Sequence, residues 1–270
     1  MNETAPPRPS EPPVVTVKPP SPENLWAEMS VAINYLTRFN LSFRDEPKSS
    51  LIRRSMVWFP IIGALIGFAG AGAGWIVAVM RMPGIISAVA AVVAMLFLTR
   101  ALHEEEFATL IDNYGKNLDR EAKVEWLKEE RSVRYGTLGI ILIIILKIGA
   151  IASLNDFTLI FQTMIVAASW SRAVMVVAAA WLRPIDGDPV ADHFQQPTAL
   201  RVVIAVAVAG IIAYSALGDD AATVMIAGGI SGLIVALLGA NHLRGYNGAL
   251  LGTLQQIVEV TVFGMVLALQ

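Results

Sequence analysis

The chain has 270 residues, of which 55% are hydrophobic and only 16% are charged, and its mean hydropathy is +0.60. These values indicate a membrane protein, because soluble domains carry about 25% charged residues. The formal net charge of −2 leaves no basic excess for a nucleic-acid backbone, so we expect no nucleic-acid partner. Cysteine is absent, which excludes disulfides, thiolate metal sites and a cysteine nucleophile.

The amino-terminal region differs in composition from the rest of the chain. Residues 1–25 are rich in proline and lack an apolar core, so we predict a disordered tail, followed by one membrane domain over residues 26–270. Within residues 26–39, apolar residues recur at helical spacing. This pattern is typical of a helix that lies on a membrane surface or packs against the protein, and the sequence leaves both options open.

Long apolar segments alternate with short polar ones from residue 58 onward. A helix needs about 20 residues to cross a bilayer, and the pattern predicts an all-α, polytopic helical bundle with about seven transmembrane helices. Pairs of glycines four residues apart in the first span predict close helix packing. The predicted spans are residues 58–80, 85–98, 137–154, 161–182, 202–217, 221–238 and 250–269.

The basic residues of the connecting segments are distributed asymmetrically. Among the loops that would face outward, only one basic residue, Arg81, is present, whereas the segments on the other side carry many. The positive-inside rule therefore predicts a cytoplasmic amino terminus and places the polar segment 99–136 in the cytoplasm.

The polar segment 99–136 is the best candidate for a site of chemistry. Glu105 and Asp112 are seven residues apart, which places both carboxylates on one helix face with Thr109 between them, whereas Glu104 lies off that face. Two oxygen ligands on one face suit Mg²⁺, which completes its coordination with water and substrate phosphate. The alternative is that the acidic run 103–106 is a solvated helix end.

A second cytoplasmic helix is predicted over residues 118–131. Its carboxyl end presents Arg131 and Arg134, whose guanidinium groups suit a diphosphate. Basic residues at such a helix end also serve as dipole partners and topology anchors, so this alternative remains open.

Three ionisable residues lie inside apolar spans: Lys147, Arg172 and Glu259. Such groups are costly in lipid and are functional candidates, although Lys147 can instead extend to the membrane surface and Arg172 can pair with Glu259. The loop 245–248 and Gly252 bring backbone close to the last span. The backbone of such a loop can approach a phosphate group, but the loop can equally be an ordinary turn.

From residue 29 to the carboxyl terminus, the chain resembles the cobalamin synthase family, the adenosylcobinamide-GDP ribazoletransferases. The residues that carry the resemblance are the Leu-Thr-Arg segment at 35–39, Phe-Pro-x-x-Gly at 59–63, and a signature of His-x-Asp-Gly-x-x-Asp-x-x-Asp-Gly type at 103–113. They continue with a segment of Asp-Ser-Arg-x-Gly-x-x-Gly type at 129–136, Lys147, the pair at 171–172, a Gly-Asp-x-x-Gly loop at 248–252, and Glu259.

The chain departs from these motifs at several positions. The three signature aspartates are Glu105, Thr109 and Asp112, and the glycines after the first and third are replaced by Glu106 and Asn113. The aspartate of the last loop is Ala249, and the Asp-Ser-Arg triplet reads Glu129-Glu130-Arg131.

The resemblance implies a transferase of the bacterial inner membrane, with corrinoid nucleotide and ribazole substrates. It implies that the GDP-activated corrinoid is joined to α-ribazole or its 5′-phosphate with release of GMP, with Mg²⁺ as cofactor. It also implies membrane lipid and other cobalamin-pathway enzymes as partners. The roles carried over are metal binding by Glu105, Asp112 and Glu129, phosphate contacts by Arg131 and Arg172, and substrate binding by His103, Lys147, Gly248 and Glu259.

Three functions are therefore compatible with the sequence. An enzyme with a reshaped site is the first. A non-catalytic relative that scaffolds corrinoid enzymes is the second, because Thr109 and Ala249 lack the family's carboxylates. A small-molecule transporter is the third, because charged residues lie within the spans, although inverted repeats are not apparent.

Overall fold

The computed structural model describes residues 25–41, 49–114 and 135–270, without the side chains of Ser49 and His193. These residues form α-helices, one short 3-10 helix and no β-strand. The predicted disordered tail, the predicted helix 118–131 and the candidates Glu129, Arg131 and Arg134 lie outside the described residues. The helices are α1 (Leu25–Leu36), α2 (Ser49–Ser55), α3 (Phe59–Val79), α4 (Gly84–Thr99), α5 (Leu102–Tyr114), α6 (Tyr135–Ser153), α7 (Phe157–Trp181), α8 (Pro189–Phe194), α9 (Ala199–Leu217), α10 (Asp220–Leu243) and α11 (Gly248–Ala268).

The described helices confirm an all-helical, multi-pass membrane protein. Six helical segments are long and apolar enough to cross a membrane, the first of them running from Ser50 to Val79 and the others being α6, α7, α9, α10 and α11. A seventh candidate is the pair formed by α4 and α5, which is bent by 86°. The seven predicted spans thus correspond in order to α3, α4, α6, α7, α9, α10 and α11.

The bend between α4 and α5 decides where the acidic signature lies. Arg100 and Ala101 both have positive φ angles, of 58° and 52°, and so turn the chain sharply after α4. Arg38 holds this corner against the end of α1, because its backbone N–H donates to the Leu98 carbonyl at 2.7 Å and its guanidinium lies 3.6 Å from the centre of the Phe97 ring. Helix α5 then packs against α11 and α6 instead of extending into solvent.

Close packing by small residues in α3 is confirmed. A Cβ atom at Gly63 or Gly67 would overlap the backbone of α7 at Ala168 and Met164. Gly70 and Gly74 allow α4 to approach in the same way. Because these contacts involve backbone atoms, larger residues could be accommodated only if the helices moved apart.

Helix α7 is the centre of the bundle. Its most apolar 18-residue window is 83% buried, whereas the corresponding window of α9 is only 17% buried. A residue on α7 therefore faces protein on nearly every side, and a charged residue there needs protein partners instead of lipid.

Helix α1 corresponds to the segment predicted either to lie on a membrane surface or to pack against the protein. Val31, Ala32 and Leu36 are buried, and the helix packs against α2 and α3. Leu25 and Trp26 at its start remain 59% and 62% exposed. The second half of the helix thus packs on the protein, and its first turn leaves apolar side chains uncovered.

Candidate functional site: a buried polar cluster

Residues that are far apart in the sequence meet in one buried polar cluster. Helix α5 contributes His103 and Glu104, and α6, α7 and α11 contribute one charged residue each, Lys147, Arg172 and Glu259. All five are buried, with exposed fractions between 1% and 8%. The structure thus brings four of the predicted site residues together with Glu104, which the sequence placed off the acidic face.

Lys147 is the centre of an ion network. Its Nζ donates to Glu259 Oε2 at 2.6 Å and to Glu104 Oε1 at 3.4 Å. The Lys147 ammonium therefore does not extend to the membrane surface, and it pairs with the carboxylate that the sequence had matched with Arg172. Two carboxylates around one buried ammonium offset part of the desolvation cost of all three charges.

Helix α11 adds two neighbouring amides to this network. Gln256 Nε2 donates to Glu104 Oε1 and to Gln255 Oε1, both at 2.8 Å. Gln255 Nε2 in turn donates to Ser171 Oγ at 3.2 Å, next to Arg172 on α7. These bonds connect the acidic helix α5 to α7 through α11.

Arg172 has a different environment from Lys147. Its Nη1 donates to the backbone oxygen of Ala168 in its own helix at 2.9 Å, and its Nε is buried without a partner among residues 25–41, 49–114 and 135–270. The side chain also lies against Gly63 of α3, where a Cβ would overlap its Cδ. Packing therefore holds the guanidinium in place while one of its donors stays available.

His103 and Glu106 form a paired unit on α5. His103 Nδ1 lies 2.9 Å from Glu106 Oε2, and the Tyr35 hydroxyl donates to Glu106 Oε1 at 3.4 Å. The Glu106 carboxyl thus holds one ring nitrogen of the imidazole, while the other, Nε2, has no partner among the described residues. Glu106 itself fits against Gly248 and Gly252 of α11, where added Cβ atoms would collide with it.

Within the described part of the chain, several buried polar atoms of this cluster have no hydrogen-bond partner. They are His103 Nε2, Arg172 Nε, Gln256 Oε1 and Glu259 Oε1. Buried polar atoms are nearly always paired, so a group of unpaired ones on adjoining helices indicates candidate contacts for a polar ligand or for water. The set contains both donors and acceptors, which suits a ligand carrying phosphate and hydroxyl groups.

The loop between α7 and α9 covers the polar end of the cluster. Asp188 begins α8 by accepting hydrogen bonds from the N–H groups of Val190 and Ala191. Burial raises the pKa of Asp188, although those bonds and one from Gly248 N–H act in the opposite direction. Burial, followed by the Glu106 carboxylate, likewise holds the pKa of Tyr35 well above its usual value, so the phenol keeps its proton and remains a donor.

The predicted metal ligands on α5 lie in different environments. Asp112 is 4% exposed, and its Oδ1 accepts the backbone N–H groups of Tyr135 and Gly136 at 2.6 and 3.1 Å, which caps the start of α6. The Glu105 side chain is exposed. Among the described residues, no three histidine or acidic side chains converge closely enough to hold a metal ion. Glu129, the third predicted ligand, lies outside that part of the chain.

Sequence reasoning missed part of this network. Glu104 was expected to lie off the functional face, and Gln255 and Gln256 were not considered. Two adjacent amides within an apolar span were an available signal, because polar side chains in a span normally face the bundle interior. Glu104 carried no comparable signal, since its burial depends on the direction of α5 after the bend.

Comparisons with known proteins assign the chain to a family. A model of the cobalamin-5-phosphate synthase family matches residues 28–267. An adenosylcobinamide-GDP ribazoletransferase of Bradyrhizobium diazoefficiens is 27% identical over 248 residues, with 92% of this chain and 95% of the relative covered. A protein of the same name from Allorhizobium ampelinum is 31% identical over 252 residues, with 88% and 95% covered.

No solved structure matches the chain. The family match, however, includes every described helix from α2 to α10 and most of α1 and α11. It therefore contains all the residues of the buried polar cluster. The chain is a transferase of the cobalamin-5-phosphate synthase family.

Proposed function

We propose that this protein joins adenosylcobinamide-GDP to α-ribazole or its 5′-phosphate in a Mg²⁺-dependent reaction that releases GMP. The convergence of His103, Lys147, Arg172 and Glu259 in one buried cluster carries the proposal. These positions come from separate helices, and all of them match the motifs of a family whose relatives bear this activity in their names.

In this reaction, a ribose hydroxyl of the ribazole that is free in both acceptors, and is therefore not the 5′ hydroxyl, loses its proton, and its oxygen forms a bond to the phosphorus that bears the corrinoid side chain. The bond from that phosphorus to the bridging oxygen of GMP breaks, and GMP takes the electron pair. Catalysis of phosphoryl transfer consists mainly of positioning and charge stabilisation. The chain's contribution is therefore to hold the diphosphate and the hydroxyl in line.

Arg172 is the diphosphate contact that the described geometry supports. Its buried Nε donor has no partner in the part of the chain that the structure describes, and its Nη1 is anchored to the Ala168 carbonyl. Arg131 provides the second guanidinium in this proposal. Lys147 and Glu259 hold α6 and α11 together beneath the substrate, and Gly248 gives the backbone of α11 its close approach to Glu106.

His103 is the proposed contact for the ribazole hydroxyl. Glu106 fixes the imidazole through Nδ1, which leaves the buried Nε2 available to accept a hydrogen bond. Glu106 is in turn held by Tyr35 and by the glycines of α11. This makes Glu106 a positioning residue that acts through His103.

Glu105, Asp112 and Glu129 would hold Mg²⁺. The donor set fits, because Mg²⁺ needs only one or two carboxylates when substrate phosphate and water complete its shell. When bound, the ion would neutralise charge on the phosphates. Asp112 is rigidly placed for this role, since the backbone of α6 holds its carboxylate.

The proposal places the protein in the bacterial inner membrane with a cytoplasmic amino terminus. The cluster then lies at the cytoplasmic end of the bundle, where corrinoid and nucleotide substrates are available, and other cobalamin-pathway enzymes are candidate neighbours. The bias of basic residues toward this end supports that orientation.

The test is to incubate membranes containing the chain with adenosylcobinamide-GDP, α-ribazole or its 5′-phosphate, and Mg²⁺. We expect a cobalamin product and GMP in equal amounts, with loss of both when Mg²⁺ is chelated. Arg172→Gln should abolish product formation, and the conservative Arg172→Lys should restore part of it. The proposal is wrong if the folded, membrane-inserted chain forms no product and does not rescue a synthase-deficient bacterium, which would leave the scaffold function in its place.

A further inference from the structure

A second cavity lies outside the buried polar cluster, between α1, the start of α3 and the start of α9. It has a volume of about 340 Å³, which is within the range of small-molecule sites. Its apolar wall is formed by Leu25, Val57, Trp58, Ile61, Leu200, Ile204 and Val208. Glu28 and Arg201 line its polar end, and we call this cavity the α1–α9 groove.

The walls of the groove belong to helices that cross the membrane. Ile61 lies in the first turn of α3, and Ile204 and Val208 lie in the first half of α9. Leu200 and Ile204 are 70% and 42% exposed, so the groove opens on the lipid-facing side of the bundle near its polar end. A cleft in this position is open to the surrounding lipid.

The polar end of the groove is built from arginine and a single buried carboxylate. Arg201 donates from Nη1 and Nη2 to the two oxygens of Glu28 at 2.9 and 3.1 Å. A second guanidinium, that of Arg54, lies 3.9 Å from Glu28 and keeps 35% of its side chain exposed. Glu28 is 1% exposed, so this end is a fixed, positively charged feature and not a mobile surface pair.

We propose that the α1–α9 groove binds a phospholipid of the membrane, with one acyl chain along Ile61, Ile204 and Val208 and the phosphate at Arg54 and Arg201. The apolar wall suits an acyl chain, and the arginines of the polar end suit a phosphate. Along α9, Arg201 comes before Ile204 and Val208, which matches the order of headgroup and acyl chain in a leaflet. An anionic headgroup fits the polar end of the groove better than a zwitterionic one, because guanidinium groups favour negative charge.

The bound lipid fixes helix α1 to the bundle. Leu25 and Glu28 of α1 form one side of the groove, and the opposite side belongs to α9. The same helix carries Tyr35, which donates to Glu106 in the buried polar cluster. Occupancy of the groove therefore stabilises the element that positions the His103 and Glu106 pair.

The first test measures retained lipid after extraction and delipidation of the full chain in detergent. Val208→Phe fills the groove, whereas the matched control Ile211→Phe adds the same ring to a 67% exposed position further along α9. After exposure to phosphatidylglycerol, we expect the wild type and Ile211→Phe to retain lipid, and Val208→Phe to bind it about tenfold more weakly. Arg54→Gln should reduce the preference for phosphatidylglycerol over phosphatidylcholine.

The second test uses Trp58, which lines the groove, as a fluorescent reporter. In vesicles with brominated acyl chains, Trp58 fluorescence should be quenched, and the quenching should decrease when Trp58 is replaced by Phe. Equal lipid retention by Val208→Phe and the wild type overturns the proposal, as does the same quenching with and without Trp58. Occupation of the groove by a second copy of the chain or by α-ribazole would also overturn it.

Discussion

Lys147 on α6 and Glu259 on α11 are 112 positions apart in the chain, yet their charged atoms lie 2.6 Å apart in the interior of the helical bundle. Glu104 joins the same ammonium from α5 at 3.4 Å. Neither contact could form unless α5, α6 and α11 met along one line. The ion network is therefore the clearest sign that the three helices form a single polar interior.

The first prediction concerns this network. Lys147→Met leaves two buried carboxylates without their cation, and we expect a loss of about 3–5 kcal/mol of unfolding free energy. The double variant Lys147→Met, Glu259→Gln should lose less than the sum of the single variants, because it removes one of the uncompensated charges. Denaturant unfolding in mild detergent measures both effects, and strict additivity would contradict the coupling.

The second prediction uses two glycines of the same helix. Gly252→Ala places a Cβ against the Cβ and carboxylate of Glu106, and we expect destabilisation of about 1–3 kcal/mol together with reduced transfer activity. Gly264→Ala meets no atom within 4 Å and should be neutral or stabilising by about 0.5–1 kcal/mol, since alanine favours the helix. Similar thermal unfolding of the two variants would show that the Glu106 contact is not tight.

The third prediction separates orientation of His103 from bulk stability. Glu106→Gln preserves size but replaces an acceptor oxygen with an amide, and we expect kcat for ribazole transfer to fall about 100-fold with little change in KM for the corrinoid nucleotide. Tyr35→Phe should have a smaller effect, because its bond to Glu106 is long at 3.4 Å. Steady-state kinetics of both variants provide the comparison, and a wild-type kcat for Glu106→Gln would refute the positioning role.

The fourth prediction tests the metal role of Asp112. Asp112→Asn keeps an oxygen that accepts the N–H groups of α6 but removes the charge, so the Mg²⁺ concentration for half-maximal activity should rise about tenfold or more. Asp156→Asn is the matched control, because Asp156 caps α7 through the same type of bond to Thr158 N–H. Equal Mg²⁺ dependence of the two variants would remove Asp112 from the set of metal ligands.

The fifth prediction concerns membrane orientation. The chain has no cysteine, so single cysteines report without a background. A membrane-impermeant thiol reagent should label exposed Asp156→Cys and Asp219→Cys from outside the inner membrane, and should label exposed Asp186→Cys only after that membrane is opened. Labelling of position 186 in intact spheroplasts would invert the topology and place the polar cluster on the wrong side for cytoplasmic substrates.

The sequence alone determined the architecture of this protein. Long apolar segments can satisfy their backbone groups in lipid only as helices, so their number and positions follow from local hydropathy. The same local reasoning identified Lys147, Arg172 and Glu259, because ionisable residues within a span must face protein or water. The tight packing of α3 likewise followed from the spacing of Gly63, Gly67, Gly70 and Gly74.

The tertiary structure decided which partners these residues have. The 86° bend after α4 turns α5 onto α11, which buries Glu104 and exposes Glu105, although the two are adjacent in the sequence. The same turn brings Glu104 to Lys147 and Glu106 over Gly252. Local pattern cannot predict such contacts, because the direction of a helix after a corner depends on packing against residues more than a hundred positions away.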